Sequence, residues 1–235
     1  MEPNVMVYLM TGFLDSGKTQ FLKFTLQQDY FQIDGKTLLI LCEEGEEEYN
    51  PMEMLRYGVV IEKIEDQEDL TEEYLEELNR KHEPERVVVE YNGMWKVSDF
   101  EAMKLPDGWE IEQKLTTVDA STFQMYLTNL KPLFVEMVRG AELVLFNRCQ
   151  DLKPLPGYRR SVKVVSPQAE VIFEDEEGEI ENIFEDDVPY DLKAPVIQIA
   201  REDYGIWYVD MMENPDRYKG KTVEFTAKVL KPRGF

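Results

Sequence analysis

The sequence is short of positive charge, of cysteine and histidine, and of long apolar runs. It sets 26 Lys and Arg against 48 Asp and Glu, a formal net charge of -22. Such a balance weighs against the electropositive face that a nucleic-acid partner requires. It also works against adsorption to an anionic membrane, and it suits cationic partners such as divalent metals or basic proteins. The two cysteines, Cys42 and Cys149, follow no disulfide-framework or metal-ligand spacing, so reduced thiols are expected and no zinc site can be built from them. The single histidine, His82, follows Lys81 at the end of a polar helical stretch, where a helix C-terminal cation is the plain reading. No stretch reaches the roughly 18 apolar residues of a membrane span, and Met1 to Gly12 lacks the basic flank of a targeting segment. A cytoplasmic protein with no direct membrane insertion is expected.

What is present supports a folded core. Hydrophobic residues make up 43% and aromatics 11% of the 235 positions, too much for a disordered acidic chain. The length allows one large domain, or one of about 150 residues with a smaller companion.

Val5 to Met10 is a short apolar run of strand-forming residues, followed by a glycine-punctuated loop and an apolar stripe across Gln20 to Gln28, which predicts strand, loop and helix. Thr37 to Leu41 and Arg86 to Glu90 are nearly pure aliphatic runs of the kind that form strands buried on both faces. Asp69 to Lys81 opens with an Asp-x-x-Glu capping pattern and aligns Leu70, Tyr74, Leu75 and Leu78 on one helical face. Lys114 to Val118 and Glu142 to Phe146 predict further strands, with helices at Thr122 to Leu130 and Pro132 to Arg139 between them. Strands alternating with helices at this spacing predict an α/β fold, a mostly parallel sheet with helices on both faces. After Asp151 the texture changes, and Pro154, Pro156 and Gly157 read as a linker. Asp175-Glu-Glu-Gly178 between two strand-like runs in Ala169 to Phe184 is a hairpin signal. Tyr204 to Glu213 suits a short helix, and Thr222 to Leu230 alternates like a strand. The expected division is a domain over 1–165 and a small β-rich C-terminal domain over 166–235, the latter ending as though truncated.

The sharpest signal is Gly12-Phe-Leu-Asp15-Ser16-Gly17-Lys18-Thr19, a full G-x-x-x-x-G-K-[ST] match placed after a predicted strand and before a predicted helix. In such a loop, successive N–H groups turn inward toward phosphate and the helix offers its positive N-terminus. Lys18 reaches the outer phosphates, and Thr19 can hold Mg²⁺. Gly220-Lys221-Thr222 lacks the upstream glycine and reads as a turn. A phosphate loop needs an acidic partner across the sheet, and Glu90 stands at the C-terminal end of a buried strand, the edge where open α/β sheets bind ligands. Gly93, three residues on, could place its amide near the γ-phosphate.

These residues, with Val118-Asp119-Ala120 followed by Phe123, and with Asn147-Arg148 at the end of the fifth predicted strand, are together similar to the CobW/HypB/UreG-type P-loop GTPases, over roughly Val5 to Phe173. The resemblance implies GTP binding with slow hydrolysis, Mg²⁺ as cofactor, dimerisation in many members, and a switch that hands metal or cofactor to a client. It assigns Gly12, Asp15, Ser16, Gly17, Lys18 and Thr19 to the phosphates and Mg²⁺, Glu90 to Mg²⁺ or water, and Gly93 to γ-phosphate sensing. Asn147 falls to the base. Two departures stand out. The family's guanine-reading motif is Asn-Lys-x-Asp, whereas this chain has Asn147-Arg148-Cys149-Gln150 with an aspartate only at Asp151. A neutral Gln lacks the bidentate, charge-assisted pairing of a carboxylate. Either Asp151 serves after a one-residue shift, or guanine selectivity is weak and ATP competes. The Cys-x-Cys-Cys metal motif of the CobW branch is also missing. In its place Cys42-Glu43-Glu44-Gly-Glu46-Glu-Glu48 could make a hard-leaning metal site through Glu43, Glu44 and Glu46, although a solvated acidic loop is the plainer reading.

The C-terminal piece, with Val188-Pro-Tyr190, Asp203-Tyr-Gly-Ile-Trp-Tyr-Val-Asp210 and Tyr218-x-Gly-Lys-Thr-Val-Glu-Phe225, resembles a small bacterial domain of unknown function found with predicted metal-related permease subunits. That resemblance implies a permease partner. Trp95 and Trp109 are expected to flank a connection near the nucleotide edge, as packing groups rather than base stackers. Three functions follow. The first is a Mg²⁺-dependent GTPase switch in metal handling, and the second a non-enzymatic nucleotide-stabilised binding module. The third is a small-molecule kinase with Asp15 or Asp119 as a conceivable base.

Overall fold

The computed structural model describes residues 5–150, 152, 155–180, 188–201 and 203–227. By contacts the chain divides into two units, Met1–Lys153 with Gln168–Ile180, and Pro154–Pro167 with Glu181–Phe235.

The first unit carries strands β1 (Val5–Thr11), β2 (Thr37–Leu41), β3 (Val59–Lys63), β4 (Arg86–Glu90), β5 (Trp109–Asp119), β6 (Leu143–Asn147), β7 (Glu170–Asp175) and β8 (Gly178–Glu179). Helices α1 (Lys18–Leu26), α2 (Pro51–Met54), α3 (Glu72–His82), α4 (Val97–Glu101), α5 (Phe123–Asn129) and α6 (Lys131–Val138) connect them. The eight strands form one sheet in the order β3-β2-β4-β1-β5-β6-β7-β8, parallel throughout except for the antiparallel β7–β8 hairpin. Every residue of β2 and β4 is buried, as their aliphatic sequences require of strands covered on both sides. Alternation along β5 shows the two coverings. Leu115 packs with Leu22 and Leu26 of α1 and Met54 of α2, while Lys114 and Thr116 point the other way and donate to carbonyls at the end of α6. Lys114 is buried yet satisfied, with its ammonium 2.8 Å from Glu101 Oε1 and 2.8 Å from the Arg139 carbonyl, a cation placed where a helix C-terminus favours one.

Several local expectations are revised. Helix α3 is capped by Thr71, whose side chain accepts from the Tyr74 N–H at 3.2 Å, while Asp69 closes a preceding 3₁₀ turn. A Thr cap is worth about 1 kcal/mol, and acidic Glu72 and Glu73 in the first turn with basic Arg80, Lys81 and His82 in the last add to it. Strand β5 starts at Trp109, well before the expected Lys114, and pairs Trp109 with Val5 at the far end of β1. Trp109 therefore lies at the opposite end of the sheet from the phosphate loop. Its indole N–H donates to Asn79 at 3.1 Å. Strand β3, absent from the sequence reading, pairs parallel with β2 at the sheet edge.

The second unit contains α7 (Leu155–Lys163), β9 (Val196–Ile199), α8 (Tyr204–Glu213) and β10 (Thr222–Phe225). The stretch read as a linker is thus helical from Leu155, because prolines in a first turn remove only N–H groups that have no intrahelical partner. Strands β9 and β10 form a separate two-stranded parallel sheet. Tyr190, Ile197, Ile199 and Tyr218 form its core, with the Tyr190 and Tyr218 hydroxyls 2.7 Å apart. No helix among the described residues is long and apolar enough to cross a membrane.

Candidate functional site

The register of the sheet assembles the site. Glu90 is level with Met10 on one side and Leu41 on the other, and Asp119 is level with Asn147. The segments that leave β1, β2, β4, β5 and β6 therefore emerge along one edge, the C-terminal edge of the parallel strands, where crossovers diverge and leave room for a ligand.

From Thr11 the chain turns through Gly12 (φ 147°), Asp15 (φ 57°) and Gly17 (φ 92°) into α1. Left-handed backbone at Gly17 is what lets the helix begin abruptly at Lys18. The N–H groups of the first helical turn have no intrahelical acceptor and face the loop, which with the helix N-terminus makes an anion cradle. Lys18 is 3% exposed. Its ammonium donates to the Gly12 carbonyl at 2.9 Å, the Phe13 carbonyl at 3.0 Å and Glu43 Oε2 at 2.5 Å. The Thr19 hydroxyl donates to Glu90 Oε1 at 2.7 Å, and Tyr49 donates to Glu90 Oε2 at 2.5 Å. Burial raises the Glu90 carboxyl above the ordinary carboxylate range, opposed by these two hydrogen bonds and by Lys18, and reinforced by Glu43. Burial followed by the Glu90 charge likewise pushes the Tyr49 hydroxyl up.

Gly93 touches the phosphate loop itself. A Cβ there would stand 2.5 Å from the Gly12 carbonyl oxygen and 2.7 Å from Phe13 Cα. Asn147 braces the loop from β6, its amide donating to the Ser16 carbonyl at 2.8 Å. That bond fixes the orientation of the amide and leaves Asn147 Oδ1 buried with no hydrogen-bond partner among the described residues. An orphaned acceptor costs about 1–3 kcal/mol, so a ligand donor would be favourable there. Arg148 adopts φ 53° and donates to the Asp15 carbonyl at 2.9 Å and to Asp119 Oδ2 at 2.7 Å. Ser16 Oγ and Thr117 Oγ1 are 2.9 Å apart.

Gly12, Asp15, Ser16, Gly17, Lys18, Thr19, Glu43, Glu90, Gly93 and Asn147 are therefore brought together. Asp151 lies outside the described residues. An open cleft of about 120 Å³ runs between Lys18, Thr19, Glu43, Glu47, Glu90 and Arg148. Glu43 is engaged by Lys18 rather than gathered with other acids, and the described residues contain no group of three or more His, Cys, Asp or Glu arranged to hold a metal ion. Cys42 is buried, and desolvation with the nearby Glu90 and Glu43 charges raises its thiol far above the ordinary value, which keeps it protonated. Burial pushes the Cys149 thiol up to about 11. His82 meets Glu62 at 2.6 Å on the far side of the sheet from α1.

Tyr49, Arg148 and Thr117 complete the site without having been assigned a role from sequence. Nothing local marks Tyr49, which follows the acidic run at 43–48. Only the fold shows that it reaches Glu90.

The arrangement suits phosphate at the loop. One hydroxyl and one carboxylate, Thr19 and Glu90, form the sparse oxygen donor set that Mg²⁺ accepts while keeping several waters. A family model described as CobW/HypB/UreG, nucleotide-binding domain, matches residues 6–173. Among solved structures the chain is similar to the hydrogenase maturation factor HypB from Archaeoglobus fulgidus, at 16% identity and a TM-score of 0.54 over 75% of this chain and 84% of that one. It is also similar to the Zn(II)-bound YjiA GTPase from E. coli, at 22% identity and a TM-score of 0.55, over 77% of this chain and 60% of that one. The chain thus spans less than two thirds of the length of YjiA, and at these identities the likeness is one of fold. No curated protein matches the sequence.

Proposed function

The chain belongs to the CobW/HypB/UreG nucleotide-binding domain family, and from that membership and the loop geometry we propose that it binds GTP with Mg²⁺, hydrolyses it slowly and acts as a switch in metal handling. The observation that carries this reading is the convergence of Lys18, Thr19 and Glu90, drawn from two elements, on one cleft at the mouth of the phosphate loop. The N–H groups at the start of α1 would cradle the phosphates, and Lys18 would neutralise their outer charge. Thr19 and Glu90 would hold Mg²⁺, which when bound neutralises charge on the phosphate oxygens. Asn147 and Arg148 would shape the base side of the cleft, with Asp151 as the guanine-reading carboxylate. Dimerisation, a divalent metal client and a permease partner remain parts of the same proposal.

Gln150, in the place of the family's aspartate, favours a second reading in which base preference is weak and the domain serves as a nucleotide-stabilised module. Phosphate release separates the two. A slow, Mg²⁺-dependent release that EDTA stops and Lys18→Ala abolishes supports the hydrolase. Nucleotide binding without phosphate release supports the module, and release that is unchanged in Lys18→Ala does not come from this site and speaks against the hydrolase.

A further inference from the structure

The ammonium of lysine has three donors and no more, and in this structure all three of Lys18 are committed. Two hold the carbonyls of Gly12 and Phe13, which fix the ammonium inside the loop, and the third meets Glu43 Oε2 at 2.5 Å. The Lys18 and Glu43 side chains are 3% and 10% exposed, so the pair is withdrawn from water. A carboxylate oxygen and a phosphate oxygen make the same demand on an ammonium: both are anionic acceptors of a short, charge-assisted hydrogen bond. They cannot share one donor.

We propose that Glu43 is a built-in competitor of phosphate, a carboxylate seated on Lys18 that the nucleotide displaces on binding, releasing the segment from Glu43 to Tyr49. The proposal rests on the nucleotide-binding reading and deepens it. The segment is tied to the site at three places: Glu43 to Lys18, the Glu46 N–H to Asp15 Oδ1 at 3.2 Å, and the Tyr49 hydroxyl to Glu90 Oε2 at 2.5 Å. Its acidic residues also face outward, with Glu44 paired to Lys63 and Glu47 to Lys23 at 3.2 Å. Removing Glu43 from Lys18 therefore loosens a loop whose other end grips the carboxylate beside Thr19. Phosphate occupancy is in this way converted into the position of an acidic surface segment.

The test compares wild type, Glu43→Gln, Glu43→Asp and Lys18→Ala by titration calorimetry with GDP and GTP in the presence of Mg²⁺, each variant first shown to melt cooperatively. A hydrogen bond between charged groups contributes about 1.5–3 kcal/mol, and each 1.4 kcal/mol is tenfold in affinity. Glu43→Gln should therefore bind nucleotide at least about tenfold more tightly, with Glu43→Asp tighter than wild type by a smaller factor. Amide exchange gives a second reading. The Glu46 N–H, which is hydrogen-bonded to Asp15, should exchange slowly in free wild type, faster when nucleotide is added, and fast without nucleotide in Glu43→Gln. If both Glu43 variants bind as wild type does or more weakly, while Lys18→Ala abolishes binding, the competitor role is overturned and the nucleotide site stands. If wild type itself binds no nucleotide, the nucleotide reading falls and takes the proposal with it.

Discussion

Replacing Gly93 with alanine should damage the phosphate loop from outside it. The new Cβ would lie 2.5 Å from the Gly12 carbonyl oxygen, 2.7 Å from Phe13 Cα and 3.1 Å from the Phe13 carbonyl carbon. Ordinary contact begins near 3.4 Å, so the loop would have to retreat by about 0.9 Å from its nearest atom. All three obstacles are backbone, and no side-chain rotation relieves them. Overpacking of this kind costs about 1–3 kcal/mol, and for a chain of this size each kcal/mol lowers Tm by about 2–4 °C. Because Gly12 and Phe13 supply the carbonyls that seat Lys18, the shift also moves the ammonium. GDP and GTP should both bind at least about tenfold more weakly, as read by calorimetric titration. A residue that only sensed the γ-phosphate would behave differently, with GDP binding kept and only the preference for GTP lost. That pattern, or an unchanged Tm, would refute the steric argument.

Three other predictions test separate parts of the site and fold. Asn147→Ala removes the bond to the Ser16 carbonyl and should weaken nucleotide binding by about tenfold, the equivalent of one hydrogen bond to a rigid loop, with melting only slightly lowered. Glu90→Gln should stabilise the free protein at pH 7 while removing its Mg²⁺ dependence. Burial raises this carboxyl in the folded state, so its charge opposes folding at neutral pH, and the gain from removing it should disappear as pH falls into the ordinary carboxylate range. Glu62→Gln should show the opposite sign. Burial acts to raise Glu62, but hydrogen bonds from Lys81 and His82 outweigh it and lower the carboxyl. Its stabilisation is present above the unfolded carboxylate value and lost as pH falls through the lowered folded one. Urea melts of both variants at pH 7 and near pH 4 read the two signs together.

Strands β2 and β4 and the phosphate loop could be read directly, because an uninterrupted aliphatic run and a spaced glycine motif are local signals. Helix α7 could not, since Pro154, Pro156 and Gly157 imitate a linker until the apolar spacing of Leu155, Tyr158 and Val162, all buried, is given weight over the prolines. Strand β3 escaped notice because Glu62 and Lys63 interrupt its short apolar run, and the pairing with β2 decides it. Within the site, the residues on the loop and Glu90 were legible, while the contacts that brace them were not. Asn147 meets Ser16 across 131 positions and Arg148 meets Asp15 across 133, and only the register of β6 beside β5 brings them there. Tyr49 illustrates the same limit, since a tyrosine after an acidic run carries no hint that its hydroxyl will hold a buried carboxylate.

Every role proposed for this chain depends on the cleft at Lys18 being a nucleotide site. The direct measurement is calorimetric titration of the full chain with GTP, GDP, ATP and ADP in the presence of Mg²⁺, repeated on Lys18→Ala. Guanine nucleotides should bind the wild type, and that binding should be lost in the variant. Absence of binding to the wild type, or equal binding to Lys18→Ala, would contradict this.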